Sequence, residues 1–319
     1  MNFAKYITIF WFRPCAAEPN EGSAGRMEVQ ADYIPAQKDS HFLFKLFNVQ
    51  VPVQRRAFRE HQHIYFEISL FKQGAGVYTT HDGAYPIQPG DVFVFASNEV
   101  HCITEITAPL ALMNVHFEPR FLWSGSDSAA PFRGMLCFGH GASFRNRLPP
   151  EQAASARIRQ LLLETEAEMA GRAPEYERMV RLKLSEIFIH LVRSLHYADG
   201  LTENATLSRH MSAVNRAMDY IGAHLAEPLT LAEIAAQAQM SPSYFSAVFR
   251  RIHSVPLWDY IAEKRVELAM RLLDSPQISI TEAAMRAGFN NSANFNRTFL
   301  RCTGITPREY RRHDGAAWV

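Results

Sequence analysis

The hydrophobic pattern of the N-terminal part of the chain changes once, near residue 150. Between residues 42 and 117, apolar and polar positions alternate over short segments, with turn signals at Asp82-Gly83 and Pro89-Gly90-Asp91 between them. Such alternation, broken by turn residues, is typical of antiparallel strands. The pattern predicts strands over residues 64–71, 76–80, 92–95 and 110–117. Regular short strands of this kind favour a β-barrel or sandwich.

After Pro149-Pro150, apolar residues recur at helical spacing. The pattern predicts two helices, over residues 151–171 and 175–197. Their apolar positions are Ile158, Leu161, Leu162 and Met169 in the first, and Met179, Leu182, Ile187, Leu191 and Leu195 in the second. Two interpretations stay open: both helices pack on the β domain, or part of the pair forms a dimer interface.

The C-terminal region contains an internal repeat. The sequence Thr-Leu-Ala-Glu-Ile-Ala that starts at Thr230 is matched by Ser-Ile-Thr-Glu-Ala-Ala from Ser279, and each copy begins with a capping box that starts a helix. Later positions also correspond: Phe245, Phe249 and Tyr260 in the first copy match Phe295, Phe299 and Tyr310 in the second, which has one extra residue in its turn. The repeat therefore predicts two helix-turn-helix units joined by a long helix over residues 257–273.

The second helix of each unit has two unlike faces. Phe245, Val248, Phe249 and Ile252 fall on one side of the first such helix, and Phe295 and Phe299 on one side of the second. The opposite faces are Ser243, Ser246, Ala247 and Arg250 in the first unit, and Ala293, Asn296, Arg297 and Leu300 in the second. Ser292, at the start of the second of these helices, is also a candidate DNA contact. Short donors, acceptors and a guanidinium suit base edges in the major groove. We expect Arg297 to be the main base-reading residue.

These residues together resemble the AraC/XylS family of transcription regulators. The matching positions lie within residues 212–312: Leu231, Ala235, Ser241, Tyr244-Phe245, Phe249, Arg265, Ala269, Leu272-Leu273, Ile280, Ala284, Gly288-Phe289, Phe295, Phe299, Gly304, Pro307 and Tyr310-Arg311. The resemblance implies two recognition helices in successive major grooves, over residues 241–252 and 292–301. Arg265 would contact a phosphate or form a structural ion pair. A plain helical bundle is the structural alternative.

The N-terminal domain carries a histidine pattern that resembles the two cupin motifs. His61-x-His63-x-x-x-Glu67 is followed by Gly74, and Pro89-Gly90-Asp91 is followed by His101. The second motif is incomplete, because Ala96-Ser97-Asn98 replaces Pro-x-Gly and Glu105 replaces the usual Asn. On one strand, His61, His63, Tyr65 and Glu67 would share a face, and His101, Asn114 and His116 could join the same cavity.

These side chains predict an effector pocket. The favoured interpretation is a polar pocket without a metal or other cofactor. The alternative is that His61, His63, Glu67 and His101 hold zinc or iron, because imidazoles with one carboxylate suit such ions. Residues 61–117 also resemble the rhamnose-responsive regulators of the family, which implies a sugar as effector.

Composition adds limits to this assignment. The 319 residues are 47% hydrophobic with a net charge of +1. The longest early apolar run, Tyr6 to Phe12, is too short to cross a bilayer, so a soluble cytoplasmic protein without a membrane partner is expected. Cys15, Cys102, Cys137 and Cys302 are scattered without C-x-x-C spacing, which disfavours a disulfide framework or a thiolate zinc site.

The predicted fold is an α+β multidomain chain: an N-terminal cupin-like β-barrel with two flanking helices, and a C-terminal all-α domain of two helix-turn-helix units. The predicted segments are a poorly structured extension (1–26), an effector-binding domain (27–148), a helical packing or dimerisation segment (149–197), a linker (198–206) and a DNA-binding domain (207–319).

The predicted function is non-enzymatic. We expect a homodimeric transcription regulator that binds double-stranded DNA and responds to a small polar effector. It would act as an activator and contact RNA polymerase. Two alternatives remain: a metal-dependent cupin enzyme fused to a helical domain, and a constitutive DNA-binding regulator without an effector.

Overall fold

The computed structural model describes residues 28–35, 42–53, 60–123, 145–148, 150–196 and 205–312. Its strands are β1 (Glu28–Pro35), β2 (Phe42–Val51), β3 (Phe66–Thr80), β4 (Gly83–Ile87), β5 (Val92–Phe95) and β6 (Cys102–Phe117). Its helices are α1 (Pro119–Trp123), α2 (Ala153–Gly171), α3 (Tyr176–Ser194), α4 (Ala205–Ala223), α5 (Leu231–Gln237), α6 (Pro242–His253), α7 (Leu257–Leu273), α8 (Ile280–Arg286), α9 (Ser292–Thr303) and α10 (Pro307–Arg312). The predicted extension 1–26, most of the predicted linker, Cys15 and Cys137 lie outside the described residues.

The six strands form one antiparallel sheet in the order β1-β2-β6-β3-β4, with β5 also paired to β3. The two predicted strands over residues 64–71 and 76–80 are one strand, β3, which pairs with β6 along its length. Gly74 and Gly76 allow this close approach, since a Cβ on Gly74 would lie 2.4 Å from the Pro109 carbonyl oxygen and one on Gly76 2.1 Å from that of Glu105. These glycines mark irregularities in a continuous strand where the sequence predicted a break.

The two faces of the sheet have different partners. One face packs against α2 and α3 through residues such as Phe44, Ile68 and Ile158, which is the packing that the first of the two interpretations of these helices expects. The other face encloses an apolar cluster that includes Phe47, Phe71, Phe93, Phe95 and Leu112. The sheet thus curls around its own inner face. The pairings do not run on from β4 to β1 among the described strands, so the expected barrel is observed as a curled sheet.

The C-terminal domain contains the two predicted helix-turn-helix units, α5–α6 and α8–α9. The capping box at Thr230 has both of its hydrogen bonds, and the Ser279 hydroxyl accepts from the Glu282 amide. Ser241 and Asn291 cap the second helices, α6 and α9. The predicted apolar faces are confirmed: Phe245, Val248, Phe249, Ile252, Phe295 and Phe299 are all buried.

The turns of the two units differ in one respect. The first contains Gln239 at φ 56°, whereas the second contains Gly288 at φ 87°. A Cβ on Gly288 would lie 2.8 Å from the Leu225 carbonyl oxygen and 2.9 Å from Nε of Arg265. The second turn therefore packs closely against α7 and against the chain that follows α4, where only glycine fits.

None of the described helices is long and apolar enough to span a membrane.

Candidate effector pocket and DNA-binding surface

Two rows of side chains cross the inner face of the sheet on adjacent strands. The pairings Lys45 with His116 and Glu67 with His116 place these residues side by side on β2, β6 and β3. The next inward row is Phe47, Asn114 and Ser69, by the same registers. Lys45, Glu67, Ser69, Asn114 and His116 are all buried. The alternation of strand residues thus builds a polar floor within an apolar interior.

His61, His63 and His101 approach this floor from outside the strands, whereas His116 is part of it. The sequence predicted that residues 61–65 belong to a strand, but β3 begins only at Phe66 and the chain bends at Ile64 and Tyr65. His61 and His101 instead form an isolated backbone bridge. The bend places the His63 ring beside the Glu67 carboxylate. The predicted pocket residues therefore lie close together, although the prediction that they share one strand is wrong.

Three imidazoles converge on one oxygen of Glu67. The Nε2 atoms of His63 and His116 each lie 2.8 Å from Oε2 of Glu67, and Nε2 of His101 lies 3.5 Å from it. The Ser69 hydroxyl donates to the other oxygen, Oε1. Among the described residues, the ligand atoms of His61, His63 and His101 lie within 4.8 Å of one another, as do those of His63, Glu67 and His116. We call these five residues the histidine cluster.

Burial sets the charge state of this region. It lowers the pKa of His116 to about 3 and also lowers the pKa of His63, in both cases against the opposing effect of Glu67. Burial likewise lowers the pKa of Lys45 to about 7, while Glu267 and Glu67 act in the opposite direction. Oδ1 of Asn114 is buried and has no hydrogen-bond partner among the described residues. The imidazoles of His63 and His116 are therefore neutral, and the Asn114 side chain offers an acceptor, which suits a polar ligand.

Tyr65 connects this pocket to the DNA-binding domain. Its ring stacks on Phe42 at 4.5 Å and lies 6.0 Å from the ring of His116. Its hydroxyl donates to Glu267 and accepts from Lys264, both on α7. The sequence placed Tyr65 in the pocket, and the structure places its ring beside the pocket and its hydroxyl between the domains.

A buried charged cluster surrounds that hydroxyl. Lys264 Nζ lies 2.6 Å from Glu118, and the Tyr260 hydroxyl also donates to Glu118 at 3.1 Å. Arg120 donates from Nε to Glu118 at 2.7 Å and from Nη1 to Asp219 on α4 at 3.1 Å. We call Tyr65, Glu118, Arg120, Tyr260, Lys264 and Glu267 the interface cluster. Phe42, Ile64 and Tyr65 also pack into the apolar core of the DNA-binding domain.

No sequence motif marks the interface cluster, of which only Tyr65 was a predicted site residue. Glu118 follows β6 and precedes a proline, which reads as an ordinary strand end. Lys264 and Glu267 are three residues apart on a helix, a spacing usual for solvent-exposed charges. The available signal was the charge of α7 combined with its many apolar positions, but that signal does not name a partner.

The predicted DNA-contacting residues lie on the outer surfaces of α6 and α9. Ser243, Ala247, Arg250, Ser292, Ala293, Asn296 and Arg297 are exposed, and Ser246 is partly exposed. Arg297 donates to the side-chain oxygen of Asn294 at 3.2 Å, so its partner within the described part of the chain is a neutral amide. Its guanidinium stands on the face opposite Phe295 and Phe299.

Arg265 is placed differently from the other predicted DNA-contacting residues. Its Nε donates to the carbonyl of Leu225 at 2.9 Å and its Nη2 to that of Glu227 at 2.8 Å. These two carbonyls follow α4, and Arg265 lies on α7 beside Gly288. The contacts favour the structural alternative for Arg265, although without the expected carboxylate.

A curled sheet with a polar pocket, attached to two helix-turn-helix units, is the architecture of a DNA-binding protein with a ligand-binding domain. Residues 50–192 match the AraC-like ligand binding domain, and residues 234–313 match a helix-turn-helix domain. The chain belongs to the AraC family of transcription regulators, which are not enzymes.

Two relatives match this chain over most of its length, and one solved structure shares its fold. The chain is 26% identical over 256 residues to the HTH-type transcriptional activator RhaR of Salmonella arizonae, covering 80% of this chain and 87% of that protein. For RhaR of Klebsiella pneumoniae the identity is 24% over 263 residues, covering 82% and 90%. The fold resembles unsaturated fatty acid-bound ToxT from Vibrio cholerae, with a TM-score of 0.53 and 12% identity, covering 93% of this chain and 97% of ToxT.

Proposed function

We propose that this protein is a cytoplasmic transcription activator whose DNA binding is controlled by a small polar effector in the histidine-lined pocket. The proposal rests on the position of Tyr65, whose ring borders the pocket and whose hydroxyl forms hydrogen bonds with α7. Helix α7 joins the two helix-turn-helix units and so positions both recognition helices. A shift of Tyr65 would therefore change the position of α7 and, through it, of both recognition helices.

The effector must distinguish two arrangements of the domains. A ligand shifts such an equilibrium only through unequal affinity for its two states. In the described arrangement Tyr65 is held between Phe42 and Lys264. An effector that displaces or fixes the Tyr65 ring would favour one arrangement, and α7 would transmit the difference to a promoter-bound RNA polymerase complex.

A sugar is the effector class that we propose. The pocket offers donors and acceptors on Glu67, Asn114, His116 and Lys45 beside aromatic rings such as Phe47, which is a suitable environment for hydroxyl groups. The relatives named RhaR add support for this class, since the N-terminal resemblance is to rhamnose-responsive regulators.

The test compares Tyr65→Phe with Tyr176→Phe, a control on the outer helix α3. DNA fragments are selected by the protein from a random pool, and affinity is measured by fluorescence anisotropy with and without a panel of sugars that includes L-rhamnose. We expect Tyr65→Phe to keep its affinity without sugar within about twofold but to lose the sugar-dependent change. An unchanged sugar response in Tyr65→Phe would contradict the proposed route.

We also propose that Arg297 reads one base pair and that Ser243, Ser246, Ala247, Arg250, Ser292, Ala293 and Asn296 contact the grooves around it. A bidentate guanidinium contact to guanine gives about 1 to 3 kcal/mol of discrimination. Arg297→Ala should relax the preference at one position of the selected site, as measured on a panel of single-base variants. A uniform loss across the panel would refute base reading.

The protein is proposed to form a homodimer through α2 and α3. Leu163, Met179, Leu182 and Ile189 are apolar but exposed on these helices, and Leu182 is 58% exposed. Leu182→Glu should convert a dimer to a monomer in light scattering after size exclusion. A wild-type monomer at micromolar concentration would contradict this proposal.

A further inference from the structure

We propose that the histidine cluster binds one divalent first-row transition-metal ion through imidazole nitrogens and the Glu67 carboxylate. The sequence favoured a metal-free pocket, because the second cupin motif is incomplete. The arrangement of lone pairs in the structure points the other way, and it includes His116, which the motif does not contain.

The backbone fixes which nitrogen carries the proton in two of the rings. Nδ1 of His63 lies 3.0 Å from the carbonyl oxygen of Tyr65, and Nδ1 of His101 lies 2.8 Å from that of Glu99. A carbonyl only accepts, so each Nδ1 must donate its proton. In a neutral ring the other nitrogen, Nε2, then carries a lone pair.

Both lone pairs face an acceptor. Nε2 of His63 is 2.8 Å from Oε2 of Glu67, and Nε2 of His101 is 3.5 Å from the same oxygen and has no hydrogen-bond partner among the described residues. A lone pair that faces a buried carboxylate oxygen is unfavourable without a positive charge between them. A metal ion bound to these atoms supplies that charge.

The surroundings resemble those of metal-binding histidines in general. Ligating imidazoles usually donate their second N–H to a carbonyl or carboxylate, which orients the ring, as Tyr65 and Glu99 do here. The Ser69 hydroxyl engages Oε1 of Glu67 and leaves Oε2 directed at the imidazoles. His61 is partly exposed whereas His63 and His101 are buried, so the cluster has one side open to a further ligand.

The ligand set limits the choice of metal. Imidazoles with one carboxylate suit Zn²⁺, Fe²⁺, Mn²⁺, Ni²⁺ and Cu²⁺, whereas Mg²⁺ and Ca²⁺ prefer oxygen ligands. The inference depends on the proposed function only in using the same pocket: an effector hydroxyl group would be the natural ligand for the open side.

The experiment uses the purified full-length chain, stripped with EDTA and dialysed. Titration with Zn²⁺ by calorimetry should show one site per chain, and Co²⁺ should give visible absorption bands of a nitrogen- and oxygen-coordinated ion. His63→Ala and His101→Ala should each weaken Zn²⁺ binding at least tenfold. His190→Ala on α3 is the matched control and should bind as wild type does.

Folding of each variant is checked by circular dichroism, and the Co²⁺ spectrum of the wild type tests the site even if a variant fails to fold. A wild-type Co²⁺ spectrum equal to that of the aqueous ion, or equal Zn²⁺ affinity in all variants, would overturn the inference. A sugar response that survives EDTA in a protein without a metal site would leave the proposed function standing and remove only the metal.

Discussion

The histidine cluster and the interface cluster are both polar and largely buried, and Tyr65 lies against both, yet their contacts differ. In the interface cluster, the carboxylates of Glu118 and Glu267 face Lys264, Arg120 or a tyrosine hydroxyl. In the histidine cluster, two imidazole lone pairs face the Glu67 carboxylate. The first set is complete within the chain, whereas the second becomes complete when a cation or ligand is added.

The difference indicates what each cluster does. A paired set of buried charges is costly to break and weak as a source of net stability, so it fixes one arrangement of two surfaces. A set with an excess of acceptors is poorly satisfied by itself and therefore responds to what binds. The interface cluster is suited to hold the domains, and the histidine cluster is suited to sense.

The largest effect is expected when the interface cluster loses its central cation. Lys264→Met removes the partner of Glu118 and Glu267, so the free energy of unfolding should fall by about 3 kcal/mol. The control is Lys72→Met, whose pair with Glu166 is partly exposed, with side-chain exposures of 27% and 28%, and which should cost about 1 kcal/mol or less. Urea denaturation followed by circular dichroism measures both. An equal loss of unfolding free energy in Lys264→Met and Lys72→Met would show that the buried and the partly exposed ion pairs do not differ in this respect.

A smaller effect on the free energy of unfolding is expected from Glu263, an acid that lies beside the interface cluster. Burial, and then the neighbouring Glu267, raises the pKa of Glu263 from 4.5 to about 8. The folded state therefore keeps this proton longer than the unfolded state does, and stability is lost as the pH rises from about 4.5 to about 8.

Glu263→Gln mimics the protonated acid and should remove that loss. The side chain is partly exposed, so we expect a gain of about 1 kcal/mol at pH 9 and almost none at pH 5. Thermal melts of both proteins across this range provide the measurement. A gain that is the same at both pH values would show that Glu263 does not titrate in this window.

The smallest effect on stability is expected in the histidine cluster. Glu67→Gln replaces an acceptor by an amide that can donate to the lone pair of His63, so without metal the variant should stay within about 1 kcal/mol of the wild type or exceed it. Unfolding is measured in EDTA. A loss above about 2 kcal/mol would mean that the imidazoles are protonated partners of Glu67, and the two clusters would then be alike.

Local patterns in the sequence predicted the C-terminal fold well. Capping residues such as Thr230 and Ser279 act within a few positions of themselves, and Phe245 or Phe299 follow the helical period that buries them. In the β domain, the strand over residues 92–95 was predicted with its observed bounds, because it lies between clear turn signals. Strand β3 was divided in two, because glycines at a bulge resemble glycines at a turn.

The candidate site was only partly predictable. His61, His63, Glu67 and His101 follow a known spacing, and His116 was included because it was expected on a neighbouring strand that faces the same cavity. The link from Tyr65 to Lys264 spans two domains and depends on how they dock. No periodicity or spacing encodes such a contact, so it could be found only in three dimensions.

Gly288 packs closely against the carbonyl group of Leu225, and this contact limits the DNA site, or operator, that the protein can bind. There is no room for a Cβ at Gly288, and Arg265 on α7 donates to the carbonyls of Leu225 and Glu227, so the turn before the second recognition helix is held against α7 and the chain that follows α4. The protein should then read its two half-sites as one unit of fixed length, on one side of the duplex. An operator with a few base pairs inserted between its halves would turn the second half-site out of reach, since the duplex rotates once in about 10.5 base pairs.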